Sequence, residues 1–103
     1  MNKVFTAVAA SLLLTTAGIA ADAAAGKTDY DKSCKSCHGP TGTANPAIAK
    51  MMKVDMNDLG SSVVQAQSDA ALAAIITGGK GKMKPVASAN AANVVAYLRT
   101  LKK

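Results

Sequence analysis

Two stretches of the chain repeat apolar residues with a helical period, and they set the expected architecture. After Ser68, the residues Leu72, Ile75 and Ile76 fall on one face. Ser68 stands in a capping position and Asp69 in the first turn, where the helix dipole favours an acid. Thr77-Gly78-Gly79 stops that helix. A final helix is predicted from Ser88 or Asn90 to Leu101, with Val94, Tyr97, Leu98 and Leu101 as its apolar stripe and Arg99, Lys102 and Lys103 at the negative end of its dipole. Upstream, Thr28 is suited to cap a short helix running from Asp29 toward Cys34, and Gly39-Pro40-Thr41-Gly42-Thr43 ends it. Between Ala44 and Gln67 the period is weak; Pro46 to Met52 reads as a short helix and Met56 to Gly60 as a turn. No segment alternates as a strand does, so the expected fold class is all-α, with three to five short helices.

The first 25 residues have another pattern. Met1-Asn2-Lys3 is a short positive start, Val4 to Ala20 carries no charge, and Ala21-Asp22-Ala23-Ala24-Ala25 offers the small residues that a signal peptidase reads. The expectation is a secretory signal over residues 1–25, cleaved after Ala25 or, as second choice, Ala23, leaving one domain over 26–103. An uncleaved anchor is the competing reading, since the run is almost long enough to span a bilayer. Its Ala, Thr and Ser content makes it weakly hydrophobic, which favours removal, no stable membrane insertion afterwards, and a periplasmic address.

A domain this short buries little apolar surface and needs a staple. Tyr30 and Tyr97 are its aromatic residues, and there is no Trp. The formal charge is +6, which removal of the leader leaves unchanged because Lys3 and Asp22 cancel. No glutamate occurs. Such a basic surface suits acidic proteins or anionic membrane surfaces. Nucleic acid is not expected: there is no binding motif and no aromatic interleaving, and the address is outside the cytoplasm.

The chemistry is concentrated in Cys34-Lys35-Ser36-Cys37-His38. Two thiols three positions apart project from one helical turn with the spacing that two haem vinyl groups require, and the next residue carries an imidazole under the iron. Cys34 and Cys37 are then thioethers and His38 the proximal ligand of one covalent haem c. A thioredoxin-like dithiol would want alternating strands and helices, and zinc would want more ligands than these. His38 is the only histidine and there is no third cysteine. A covalent haem also supplies the missing staple and a flat apolar body for the helices to pack on.

With these residues in view, the chain resembles the small monohaem class I cytochromes c over essentially all of residues 26–103. Gly26 and Tyr30 stand ahead of Cys34 as a glycine and an aromatic do in that family's first helix. Tyr97 lies in Val-Val-Ala-Tyr-Leu-Arg, similar to the family's last helix, whose aromatic packs across the first helix near that glycine. Met83, in Ile-Ile-Thr-Gly-Gly-Lys-Gly-Lys-Met-Lys-Pro, matches the family's helix, glycine-rich turn and methionine before a proline. The resemblance implies that Met83 is the distal iron ligand, while Met51, Met52 and Met56 pack against the haem or the surface. One departure is Lys84, inserted between Met83 and Pro85. Pro46 resembles the family proline whose carbonyl accepts a hydrogen bond from the proximal histidine.

Filling both axial positions with protein leaves the iron no substrate site, so the implied function is a one-electron carrier and not an enzyme. Lys35, Lys80, Lys82 and Lys84 are expected to ring the exposed haem edge and receive acidic redox proteins, with the carrier itself a monomer. A haem-based ligand-binding or sensor module with a labile sixth position is the alternative. A peroxidase is weaker: no second histidine or glutamate is available, and the one Arg, Arg99, lies in the last helix.

Overall fold

The computed structural model describes residues 21–103, so most of the expected signal segment, residues 1–20, lies outside the described residues. The first helix, α1 (Ala23–Ser33), begins earlier than expected. Asp22, not Thr28, is its cap: the carboxylate accepts the backbone N–H groups of Ala24 at 2.9 Å and Ala25 at 3.1 Å. Ala23, Ala24 and Ala25, assigned above to the leader, therefore form the first turn of the domain, where three consecutive strong helix formers follow a short acceptor side chain. Thr28 lies inside the helix and donates its hydroxyl back to the Ala24 carbonyl.

Cys34 breaks the ladder, and a single turn, α2 (Lys35–His38), follows. Asn45 caps α3 (Pro46–Met52), with Pro46 in the first turn, where its missing N–H costs no helix bond. A further turn, α4 (Ser62–Gln65), was invisible to periodicity because it is too short to show a period. Ser68 caps α5 (Asp69–Gly78) as expected, and Asn90, the later of the two expected starts, caps α6 (Ala91–Arg99). The described residues thus hold six helices in place of three to five, the excess being the two four-residue turns. Among them there is no strand, only an isolated bridge between Lys80 and Met83.

The core forms where α1 crosses α6. A side chain at Gly26 would place its Cβ 1.9 Å from the Asn93 carbonyl oxygen, so glycine is what lets the two backbones meet. One helical turn on, Tyr30 and Tyr97 stack tilted, with ring centroids 5.1 Å apart at 56°. Two bonds stitch the crossing from its ends: Asp22 N–H donates to Asn93 Oδ1 at 2.8 Å, and Asn90 N–H donates to Asp29 Oδ2 at 3.1 Å. On its other side α6 receives α5 through Leu72 and Ile76, with Val64 of α4 joining the same core. Contact on two sides explains why Val95 is buried beside the expected Val94, Tyr97 and Leu98: one stripe cannot serve two neighbours. Arg99 then ties α6 to the α4–α5 turn, donating to the carbonyls of Gln65 at 3.0 Å and Gln67 at 2.7 Å while pairing with Asp69.

Candidate functional site

The attachment motif begins where α1 ends. The Cys34 N–H closes the last α1 bond to the Tyr30 carbonyl at 2.9 Å, and its own carbonyl accepts from Cys37 at 3.2 Å and His38 at 2.9 Å. Both thiols and the imidazole are thereby carried on one turn. Cys34 is buried and Cys37 half-buried, and neither is in a disulfide. Burial, helped by Asp29 and the neighbouring Cys37, holds the Cys34 thiol above its usual range. Burial alone pushes the His38 imidazole down, toward the neutral form that donates a lone pair to a metal.

The residues around this turn hold it from two sides. Gly39 takes φ +80°, where glycine is at ease, and its carbonyl accepts the hydroxyl of the fully buried Tyr30 at 2.5 Å. Asn45 then brings the chain back under the motif: its N–H donates to the Cys37 carbonyl at 2.9 Å and its amide to the Ser36 carbonyl at 3.4 Å, while Oδ1 caps α3. The expected bond from His38 to the Pro46 carbonyl is not formed. His38 Nδ1 is buried without a partner, and Pro46 as the first residue of α3 has its carbonyl committed to the helix ladder. Two free thiols followed by a neutral, half-buried imidazole are a donor set that fits a covalent haem. Zinc finds no support, since no group of three or more His, Cys or Asp side chains converges among the described residues.

Met83 sits on a different segment, a tight hairpin after α5. Lys80 N–H donates to the Met83 carbonyl at 3.0 Å and Met83 N–H to the Lys80 carbonyl at 2.9 Å, closing a two-residue turn of Gly81 and Lys82. Gly79 and Gly81 both have positive φ, and a Cβ at Gly79 would lie 2.6 Å from the Met83 carbonyl oxygen. Beyond Pro85, Val86 N–H returns to the Ile76 carbonyl at 2.8 Å, so the hairpin accommodates the inserted Lys84 and still rejoins α5. Met83, Met52 and Met56 are half-buried, whereas Met51 is 70 % exposed. No hydrogen bond links the motif turn, Pro46 and Met83 to one another; they occupy three separate segments.

Lys35, Lys80, Lys82 and Lys84 are all exposed, but Lys82 reaches back to donate its ammonium to the Met52 carbonyl at 2.5 Å. That contact spans 30 positions and has no sequence signature. The role of Asn45 does have one, in Asn45-Pro46 as a cap followed by proline.

The family described as cytochrome c oxidase, cbb3-type, subunit III matches residues 21–98. The chain belongs to this cytochrome c family. The match begins where the described structure begins, ahead of the Asp22 cap. Cytochrome c-554(547) of Halothiobacillus neapolitanus is 34% identical over 91 residues, covering 81% of this chain and 100% of that protein. Among solved structures, the KustC0563 c-type cytochrome superposes with a TM-score of 0.62 at 25% identity, over 76% of this chain and 98% of its own. This cytochrome c domain therefore has the all-α fold expected from its pattern, carries covalent haem c with iron, and belongs among haem-containing electron carriers. Cytochromes of this type are typically exported, and among the described residues no helix is long and apolar enough to cross a membrane.

Proposed function

We propose that Cys34 and Cys37 form the two thioethers, that His38 and Met83 are the axial ligands, and that the protein carries single electrons between redox partners in the periplasm. The observation that carries this reading is the motif turn itself, where burial keeps His38 neutral directly after two free thiols. Haem, once bound, supplies a one-electron couple. Cys34 and Cys37 would hold it covalently, and His38 and Met83 would ligate its iron and leave no place for a substrate, which supports a carrier over an enzyme. A thioether donor favours the reduced state and so raises the potential above that of a bis-histidine site.

Export is supported by the charge-free run after Lys3 and its small-residue exit. Asp22 caps α1 and bonds Asn93, which supports a leader that ends upstream of Asp22 in place of Ala25. The exposed Lys35, Lys80 and Lys84 support docking to acidic surfaces, where long-range attraction speeds encounter and a small interface keeps the complex short-lived.

The test is the absorption spectrum of the ferric protein and of Met83→Ala. A weak far-red band present in the wild type and lost in the variant is the expected result; its absence from the wild type would remove Met83 as ligand. Lys84, standing between Met83 and Pro85, favours a second reading in which Met83 yields to a small molecule. Firm carbon monoxide binding to the reduced protein would select that reading.

A further inference from the structure

Three lysines flank Met83, at positions 80, 82 and 84, and the structure treats one of them differently. The Met83 hairpin is well made internally, with two backbone bonds and two glycines of positive φ. Its attachment to the rest of the protein is sparse. On the C-terminal side Val86 N–H meets the Ile76 carbonyl, and on the N-terminal side Gly79 N–H closes α5 on Ile75. Both anchors lie at the base. At the tip, Lys82 Nζ to the Met52 carbonyl is the hydrogen bond that reaches another element.

The acceptor is well suited to that role. Carbonyls in the last turn of a helix have no intrahelical donor. At the end of α3, Lys53 and Val54 double back onto Ala49 and Lys50, with Lys53 in the left-handed region at φ 57°. The Met52 carbonyl receives neither, and an ammonium there gains a charge-assisted bond at the negative end of the turn. Lys80 and Lys84 make no such bond among the described residues, although they carry the same charge on the same hairpin.

We infer that Lys82 is a positioning residue that latches the tip of the Met83 hairpin to the end of α3 and thereby sets how firmly Met83 holds the sixth coordination position. The inference rests on Met83 being that ligand. It also removes Lys82 from the docking ring: its charge is committed within the fold, and Lys35, Lys80 and Lys84 remain for partners.

An external ligand must displace Met83, so its apparent affinity reports the fraction of hairpins that are open. The probe is imidazole, titrated into ferric holoprotein and followed by loss of the far-red band. Loss of one exposed charge-assisted bond should strengthen imidazole binding by about three- to tenfold in Lys82→Ala. Lys82→Arg, which keeps the donor, should bind as the wild type does, as should Lys80→Ala and Lys84→Ala. The denaturant midpoint of Lys82→Ala, measured alongside, should move little, because the latch acts on one hairpin and not on the α1–α6 core. Equal affinities for wild type and Lys82→Ala would overturn the latch, and so would a rise common to all three alanine variants, which would mark a general charge effect. A wild type lacking the far-red band would overturn the ligation and the latch together; a band with no response at Lys82 would overturn the latch alone.

Discussion

The α1–α6 crossing and the Met83 hairpin hold their positions by opposite means. At the crossing, backbones touch over Gly26, two tyrosines stack, Tyr30 is 0% and Val94 1% exposed, and polar bonds close both ends. The hairpin is half-buried at Met83 and exposed at all three lysines, and it joins the fold through backbone bonds at its base and one side-chain bond at its tip. The first region is specified by close packing, which tolerates almost no change. The second depends on individual bonds. A cytochrome made this way keeps its scaffold fixed while the Met83 hairpin remains the part most easily tuned.

The largest effect should come from Gly26→Val. Its side chain would require the Asn93 backbone to withdraw, costing about 3 kcal/mol or more, so that folded haem protein scarcely accumulates in cells while Met83→Ala accumulates normally. Comparable yields of the two variants would break the contrast. Tyr30→Phe should cost about 1–2 kcal/mol at neutral pH, read from denaturant unfolding, because it strips the donor from a buried carbonyl at Gly39. It should also change the alkaline limb. Burial pushes the Tyr30 phenol up to about 12, so the stability it contributes is complete below its ordinary value of about 10 and is lost as pH rises through about 12. A variant with the same alkaline limb as the wild type would show that the phenol is not the group responsible. The smallest effect belongs beside the hairpin's anchor: Lys53→Gly should raise the thermal midpoint slightly, by about 0.5 kcal/mol in stability, because glycine takes the left-handed conformation that lysine holds there at a cost.

Much of the scaffold was legible from the residues. The last two helices, the cap at Ser68, and the pairing of Tyr97 with the Gly26–Tyr30 face all lie where periodicity and family resemblance put them. The start of α1 was misread because Asp22-Ala-Ala-Ala satisfies two rules at once, as an exit for signal peptidase and as a helix start, and sequence alone does not rank them. The motif was legible because its chemistry is local: five adjacent residues contain the thiols and the imidazole. Pro46 illustrates the reverse case. Its role depends on where a carbonyl points after the loop 39–45, and in the fold that carbonyl belongs to α3 while Asn45 makes the contacts to the motif. Lys82 was read only as charge, since nothing near it in sequence announces an acceptor on another helix.

The bond between Asp22 and Asn93 joins positions 71 apart, which makes nearly the whole domain a single closed ring of chain. Closing a ring of that size is an entropic step that must precede the reward of packing, so formation of the α1–α6 clasp should limit the folding rate. Once shut, the clasp reverses the logic. Every segment between α1 and α6 is then a loop with fixed ends, free to open locally and reclose in register without letting the domain come apart.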